Sequence, residues 1–410
     1  MNQPAPLSLF SGFGVELEYM IVDSQSLSVR PIADELLKDA AGDLSGDVDR
    51  GEIGWSNELV AHVVEVKVCQ PAQELEQLPA LFQKNVCEIN SRLSPLGAQL
   101  MPSGMHPWMD PEQETRLWPH GFGEVYQAFD RIFGCQGHGW ANLQSTHLNL
   151  PFANDDEFAR LHAAIRLVLP ILPALSASSP VVEGQVTGLM DNRLEVYRTN
   201  SQKIAGVAGR VIPEPAFSQA DYKTQILEPL YAEIARHDPE RILQHEWLNA
   251  RGAIARFSRN TIEIRVLDAQ ECPLADTAIC AATVAVLRSL VAERWSPLLL
   301  QQGAAVEPLA SIFLPTIRSA EQAFIYDEDY LKLFGYPGES CTCGELWQYL
   351  LAALPDLTAE SSPWREPLNT IVNEGPLARR IVEALADENE LEDVYEELCR
   401  CLAEGEMFHA

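Results

Sequence analysis

The sequence predicts an α+β fold, on three observations. Four segments alternate apolar and polar residues with a period of two, the pattern of strands that bury one face. Longer segments between them repeat apolar residues at helical spacing, and after Trp295 the chain reads as helical throughout. The length of 410 residues admits two or three domains or one large unit. Every motif falls within residues 1–295, which leaves 296–410 as a helical C-terminal region packed on the same unit.

Gly14 to Val22 is an apolar strand, followed by a polar stretch rich in Asp and Gly between Asp34 and Gly54, and Glu58 to Val68 returns to strand character. From Pro71 to Leu96, Leu75, Leu78, Leu81, Phe82, Val86 and Ile89 recur at helical spacing, with Pro79 tolerable only near a helix start. Met101 to Gly139, rich in Pro, Gly, Trp and Met without a sustained period, reads as a long ordered loop region with short helices. Loops of that length inside a compact domain are usually functional. A strand at Gln144–Leu150, a helix at Asp156–Ser176 and a Gly-, Thr- and Asn-rich loop from Pro180 to Gly209 follow. A helix near Ser218–Arg236 then precedes a hairpin-like pair at Trp247–Phe257 and Thr261–Asp268, and a long apolar helix covers Leu274–Glu293.

With 29 Lys and Arg against 59 Asp and Glu, the formal charge is −30. Such a surface repels phosphate backbones and anionic lipid, which argues against non-specific binding to nucleic acid or membrane. A composition of 47% hydrophobic and 8% aromatic residues excludes disorder as the outcome of that charge. No run approaches the ~18 uninterrupted apolar residues of a membrane span. Ala163–Ala177 is broken by Arg166, Pro170 and Pro173, and Thr277–Leu290 by Arg288. Met1 to Phe10 lacks the basic, apolar and small-residue sequence of a secretory leader, and nine cysteines, an odd number, fit reduced thiols. The expectation is a cytoplasmic protein. The acidic run from Asp387 to Glu406 reads as a solvated helix face.

The chemistry sits on the alternating strands. Glu16 and Glu18 share one face against Val15, Leu17 and Tyr19; Glu65 and Lys67 do so against Val64, Val66 and Val68. His147 and Asn149 oppose Leu148 and Leu150, and Glu263 and Arg265 oppose Ile262, Ile264 and Val266. One Glu-x-Glu pair alone is most often a solvated face, and one histidine is most often structural. Repetition over four strands is harder to ascribe to chance, which would mix residue types. In one sheet, the polar face would collect Glu16, Glu18, Glu65, His147 and Glu263. Two unit charges 4 Å apart repel by roughly 4 kcal/mol at an effective dielectric of 20, so either some carboxyls are protonated or cations sit among them. Carboxylates with one imidazole suit Mg²⁺ or Mn²⁺ better than Zn²⁺, and the arginines and Lys67 would then hold an anionic substrate. The pairs Cys341-Thr342-Cys343 and Cys399-Arg400-Cys401 depart from zinc-ligand spacing. No Gly-x-x-x-x-Gly-Lys-Ser/Thr loop, dinucleotide fingerprint or Gly-x-Ser-x-Gly elbow is present, so any bound ATP would be held by metals and arginines.

The motif order resembles that of the glutamate–cysteine ligases, in particular the type 2 carboxylate–amine ligase group. Gly14-Val15-Glu16-Leu17-Glu18-Tyr19 resembles its opening Gly-(Val/Ile)-Glu-x-Glu strand. Glu58 followed by Glu65-Val66-Lys67 is similar to its second acidic strand, and Ser145-Thr146-His147-Leu148-Asn149 to its histidine strand. Leu175-Ser176-Ala177-Ser178-Ser179-Pro180, Gly184, Thr187-Gly188 and Arg193 resemble its Ser-Ala-Ser-Ser-Pro block, and Thr261-Ile262-Glu263-Ile264-Arg265 its Thr-(Ile/Val)-Glu-(Ile/Val)-Arg strand. The resemblance covers about residues 12 to 295. Val68 stands where many members have Thr, and Asp191-Asn192 where small residues are commoner.

The resemblance implies a glutamine-synthetase-like antiparallel sheet curved around the active site, with helices outside. It implies ATP-dependent amide formation in two steps through an acyl phosphate, with glutamate and cysteine as default substrates, a glutathione-biosynthesis-like activity. By family position Glu16, Glu18, Glu58, Glu65, His147 and Glu263 would ligate Mg²⁺ or Mn²⁺. Glu263 and Arg265 would be catalytic, with Arg265 stabilising the transferring phosphoryl group. Asn149, Arg193, Arg251, Arg265 and Lys67 would hold substrate or nucleotide. The expected partners are amino-acid substrates and ATP, with a homo-oligomer left open. Three readings stay open beside this one: a ligase for a different carboxylate and amine, a carboxylate-pair hydrolase, and a non-catalytic nucleotide- or metal-binding homologue.

Overall fold

Strands form where β-branched and apolar residues alternate with polar ones, and twelve do so in the computed structural model, which describes residues 6–121, 123–387 and 389–410. In chain order they are β1 (Gly14–Asp23), β2 (Asp47–Asp49), β3 (Ile53–Asn57), β4 (Val63–Val68), β5 (Ala98–Met101), β6 (Ser145–Pro151), β7 (Val181–Val182), β8 (Gln185–Val186), β9 (Ala253–Arg256), β10 (Thr261–Asp268), β11 (Phe324–Ile325) and β12 (Cys341–Thr342). The readings made on Met1 to Phe10, on Met101 to Gly139 and on the acidic run fall partly outside the described residues, at 1–5, 122 and 388.

Eight strands build one antiparallel sheet in the order β2-β3-β4-β1-β6-β10-β9, with β5 pairing the far half of β1. The long β1 is its spine: Glu16 stands opposite Lys67 on one side and His147 on the other, and Glu18 opposite Glu65. Glu263 stands opposite Asn149. A side chain on Gly14 would place its Cβ 2.9 Å from the Cβ of Asn149, so only glycine lets β6 approach there.

The apolar face carries Leu17, Val66, Leu148 and Ile264, all fully buried. Each such side chain contributes roughly 1.5–3 kcal/mol relative to exposure. Beneath them pack the helices Leu78–Leu93, Asp155–Val168 and Pro273–Val291. The last, with a mean hydropathy of 1.7, is long and apolar enough to cross a membrane, but 78% of its apolar window is buried inside the protein, as befits a core helix.

The helix expected at Asp156–Ser176 is interrupted. It runs Asp155–Val168, tightens into a 3₁₀ turn at Leu169–Ile171 and resumes at Pro173–Ser176, because Pro170 and Pro173 have no N–H to donate. The polar stretch from Asp34 to Gly54 holds a helix, Ala33–Ala41, and the edge strand β2. Only Ala253–Arg256 of the segment Trp247–Phe257 is strand. Strands β5, β11 and β12 are too short to show alternation in the sequence.

The core is continuous across residue 295. Phe313, Leu346 and Trp347 join the cluster that holds Leu17 and Ile264, and Trp347 Nε1 donates to the Ile171 carbonyl at 2.8 Å. A fully buried ion pair, Arg380 to Glu271 at 2.6 Å, fastens the helix Leu377–Ala386 to the segment after β10.

Candidate active site

The polar face of the sheet forms the floor of a cavity of about 1250 Å³. The pleat brings Glu16, Glu18, Glu65, Lys67, His147, Asn149, Glu263 and Arg265 onto its lining, and Glu58 joins them from the loop between β3 and β4. Two groups stand out. One oxygen or nitrogen each from Glu16, Glu65 and His147 lies within 4.8 Å of the others, and Glu18, Glu58 and Glu65 meet the same test. Glu65 belongs to both, so the groups adjoin.

Hydrogen bonds fix these side chains in place. Glu18 Oε2 accepts from Ser145 N at 2.7 Å and from Ser145 Oγ at 2.8 Å. His147 Nε2 lies 2.9 Å from Ser145 Oγ, and Nδ1 lies 3.1 Å from Glu16 Oε2. Asn149 Nδ2 donates to Glu16 Oε1 at 3.1 Å. On the other side Ser56 Oγ donates to Glu65 Oε1 at 2.7 Å, and Lys67 Nζ lies 3.0 Å from the same oxygen. Arg265 Nε stands 3.1 Å from Glu263 Oε1, an ion contact without an aligned hydrogen bond.

The protonation equilibria report the crowding. Burial, then the charges of Glu65, Glu18 and Glu16, push Glu58 well above the usual carboxyl range. Burial and Glu16 likewise raise Glu65, against the pull of Lys67. Burial would raise Glu16 too, but its hydrogen bond with His147, the charge of that ring and a hydrogen bond with Glu65 together lower it. Glu263 is also lowered, because Arg265, His147 and Arg256 together outweigh its burial. Burial opposes the charged form of His147, yet Glu16 and Glu18 raise it. Carboxyls crowded in this way are relieved by protonation, as the rise of Glu58 and Glu65 shows, or by cations.

Two arginines are not placed as expected. Arg251 does not line the cavity: its guanidinium makes a bidentate pair with Glu214 at 2.5 and 2.6 Å and donates to the Gly206 carbonyl and Asn249 Oδ1. Its donors are spent on Glu214, Gly206 and Asn249, so it stands outside the lining, away from the place expected of a residue that holds substrate or nucleotide. Arg193 does line the cavity, but it is 2% exposed and donates to Asp268 Oδ1 at 3.3 Å and to the Arg265 carbonyl at 2.9 Å. Asp268 in turn accepts from Ser178 N and Ser179 Oγ, so this network clamps the Ser-Ala-Ser-Ser-Pro block to the end of β10. Asp191 and Asn192 serve the same loop. Asp191 caps the helix Asn192–Tyr197, and Asn192 Nδ2 donates to the Ser179 carbonyl at 2.7 Å.

Other lining residues went unread in the sequence. Arg256 stands opposite Thr261 and therefore shares the face of Glu263; extending the alternation into β9 would have found it. Ser145 and Ser56, which hold Glu18 and Glu65, lie on the same faces as His147 and Glu58's neighbours and were equally within reach of that rule. Tyr126 and Phe129 come from the helix Gly123–Phe133, Trp140 from the short helix His138–Ala141 and Trp247 from the turn Glu246–Leu248, inside stretches read in the sequence as loop or hairpin.

A model of glutamate-cysteine ligase family 2 matches residues 12–397. An uncharacterized protein of Archaeoglobus fulgidus is 32% identical over 96% of this chain and 99% of its own length. A putative glutamate--cysteine ligase 2-3 of Rubrobacter xylanophilus is 27% identical over 65% of this chain, which spans 66% of that relative. Among solved structures, the glutamate–cysteine ligase of Francisella tularensis in complex with AMP matches with a TM-score of 0.57 at 11% identity, over 98% of this chain and 90% of its own. A bifunctional glutathione synthetase of Pasteurella multocida matches with a TM-score of 0.55 at 14% identity; this chain covers 52% of it, about half. At these identities the structural matches establish the shared fold.

Proposed function

The chain belongs to glutamate-cysteine ligase family 2, and from that premise we propose that it is an ATP-dependent carboxylate–amine ligase that forms an amide through an acyl phosphate. The observation that supports this most is the pair of adjoining acidic groups, joined at Glu65 and backed by His147, on the floor of one large cavity. Oxygen donors with a single imidazole fit Mg²⁺ or Mn²⁺ and suit zinc poorly. Glu16, Glu18, Glu58, Glu65, His147 and Glu263 are the residues that would hold the cations. Divalent cations held there would neutralise the charge of the phosphates, which is most of what phosphoryl transfer requires.

The chain's own groups do the rest. Lys67 and Asn149 stand on β4 and β6 where they can orient a polyphosphate, with Arg256 on β9, two strands beyond β6. Arg265, kept charged despite burial by the carboxylates of Glu263 and Glu18, faces the charge that builds on the phosphoryl group in transit. The substrate carboxylate takes that group from ATP with release of ADP. The amine nitrogen then bonds to the acyl carbon as the carbon–oxygen bond to phosphate breaks. An ammonium nitrogen sheds two protons in becoming an amide N–H, and the departing phosphate can carry one of them. No protein nucleophile is needed.

A cavity of about 1250 Å³ exceeds the ~300–1,000 Å³ of a site for one small ligand, which fits a reaction that joins three substrates. Glutamate and cysteine are the pair that the family's name points to and the first to assay. Amine-dependent ADP release with Mg²⁺, ATP, glutamate and a panel of amines is the expected result. No ADP above the amine-free background, for any amine, would overturn the proposal.

A further inference from the structure

The two ends of the cavity differ in chemistry. Strand pairing sets its axis: Lys67, Asn149 and Thr261 lie toward the Gly14 end of β1, and Glu18, Ser145 and Arg265 toward the other. Beyond that second end the wall is aromatic. Tyr126 and Phe129 project from the helix Gly123–Phe133, Trp140 from the helix His138–Ala141, and Trp247 from the turn Glu246–Leu248. The Phe129 ring centroid is 5.4 Å from that of Trp140 and 5.7 Å from that of Trp247, so the rings form one continuous surface. Each is partly exposed, and among the described residues the segments 123–140 and 197–250 give the lining no charged side chain.

This surface adjoins the acidic floor at two points. Tyr126 Oη accepts from Asn57 Nδ2 at 3.1 Å, next to Glu58, and Tyr197 lies against Arg265 and Arg193. Tyr197 is 7% exposed and its hydroxyl has no hydrogen-bond partner; neither has Asn200 Oδ1 in the same wall. An unpaired buried hydroxyl carries a desolvation cost that a bound polar atom removes. The cysteine side chain, one methylene and a thiol, would leave most of these rings uncovered.

We propose that the acceptor amine carries a bulky apolar side chain, of aromatic size, which packs on Tyr126, Phe129, Trp140 and Trp247 while Tyr197 Oη bonds a polar atom beside the amine. The inference rests on the ligase reading above and names the substrate class of that site. A ring laid among these residues gains edge and offset-stacked contacts that a small amine cannot make. Each extra methylene in such a pocket is worth about 10–200-fold in discrimination.

The test compares kcat/KM for ADP release with 2-phenylethylamine, L-phenylalanine and L-tryptophan against L-cysteine and glycine, at fixed ATP, Mg²⁺ and glutamate. A preference of tenfold or more for the best aromatic acceptor supports the proposal. The reverse order overturns it and leaves the ligase reading standing. No ADP above the amine-free background with any of these amines overturns both. In variants Phe129→Ala and Trp247→Ala the ratio of aromatic to small-amine kcat/KM should fall at least tenfold, through KM rather than kcat. An unchanged ratio would overturn the proposal. Phe129→Leu, which keeps most of the volume, provides the same comparison if the alanine variants do not fold. Quenching of Trp140 and Trp247 fluorescence by 2-phenylethylamine gives a readout independent of turnover; no saturable quenching counts against the proposal.

Discussion

Buried charge is arranged in opposite ways in two parts of the molecule. In one part three arginines each hold a carboxylate partner: Arg380 with Glu271 in the segment after β10, Arg193 with Asp268 at the end of β10, and Arg251 with Glu214 ahead of β9. On the cavity floor Glu16, Glu18, Glu58, Glu65 and Glu263 meet only Lys67, Arg265, Arg256 and His147, and the balance is negative. Matched pairs need nothing further and act as fasteners. The unmatched floor is where a ligand must complete the charge. The difference separates scaffold from site, and it can be tested from both sides.

The largest effect is expected on the floor. Glu65 belongs to both acidic groups, so Glu65→Gln should lower ADP release by 10³-fold or more, about 4 kcal/mol of transition-state stabilisation. Because its neighbours already raise the Glu65 carboxyl, the neutral amide should leave Tm unchanged or higher without metal. Mn²⁺ should raise the Tm of the wild type, since a ligand that binds only the folded state stabilises it by about 2.7 kcal/mol at a hundredfold excess over Kd. That shift should vanish in the variant. A variant that loses activity and stability together would place Glu65 among the fasteners.

A matched pair should show the converse. Glu271→Ala leaves the Arg380 guanidinium buried beside carbonyls alone, and breaking such a pair costs about 3–5 kcal/mol. Urea unfolding should register that loss, while the KM values for ATP and amine stay within about twofold of wild type where the variant is folded.

The same division explains what was legible in the sequence. The floor could be read because strand side chains alternate strictly, so Glu16, Glu18, Glu65, His147 and Glu263 reveal their common face to anyone counting by twos. Arg251 and Arg193 could not, because a loop arginine is defined by its partner. Glu214 and Asp268 lie 37 and 75 residues away from them, and nothing local marks the pairing. The aromatic wall escaped for a related reason: its rings come from short helices and a turn, gathered by tertiary packing alone. Elements were lost where they were short, as with β5 and β11, or where proline broke a helix that hydrophobic spacing alone would have continued, as at Pro170.

Three buried histidines belong to neither arrangement, being held neutral. Burial lowers His62 and His106 to about 4 and His162 to about 3, with Arg166 adding to the effect on His162. His62 Nε2 lies 2.7 Å from the Ala141 carbonyl, and His162 stacks on Phe158 at 5.2 Å with neither ring nitrogen in an aligned hydrogen bond. In the unfolded chain each takes up a proton near pH 6.5, whereas the folded state resists until about pH 4. The unfolded state thus binds more protons between those values, and stability falls as pH drops through that window, by about 2 kcal/mol per histidine from pH 7 to pH 5. Tm measured across pH 7 to 5 should decline, and His162→Phe should flatten the decline. A flat wild-type profile would mean that the rings are more hydrated than their burial implies.

The smallest effect is expected where matched charge meets water. Arg400 contacts Glu397, Glu404 and Glu406 on the outer face of the helix Leu391–Glu404, formally a richer set of partners than Arg380 has. All of these groups are exposed, however, so water and salt already screen them and the side chains give up rotamer freedom to meet. Arg400→Ala should leave Tm and activity within experimental error, and raising the salt concentration should erase any residual difference between variant and wild type. The contrast with Glu271→Ala then turns on burial alone. A shift for Arg400→Ala comparable to that of the buried pair would show that counting partners, rather than their exclusion from water, is the right measure of what fastens this fold.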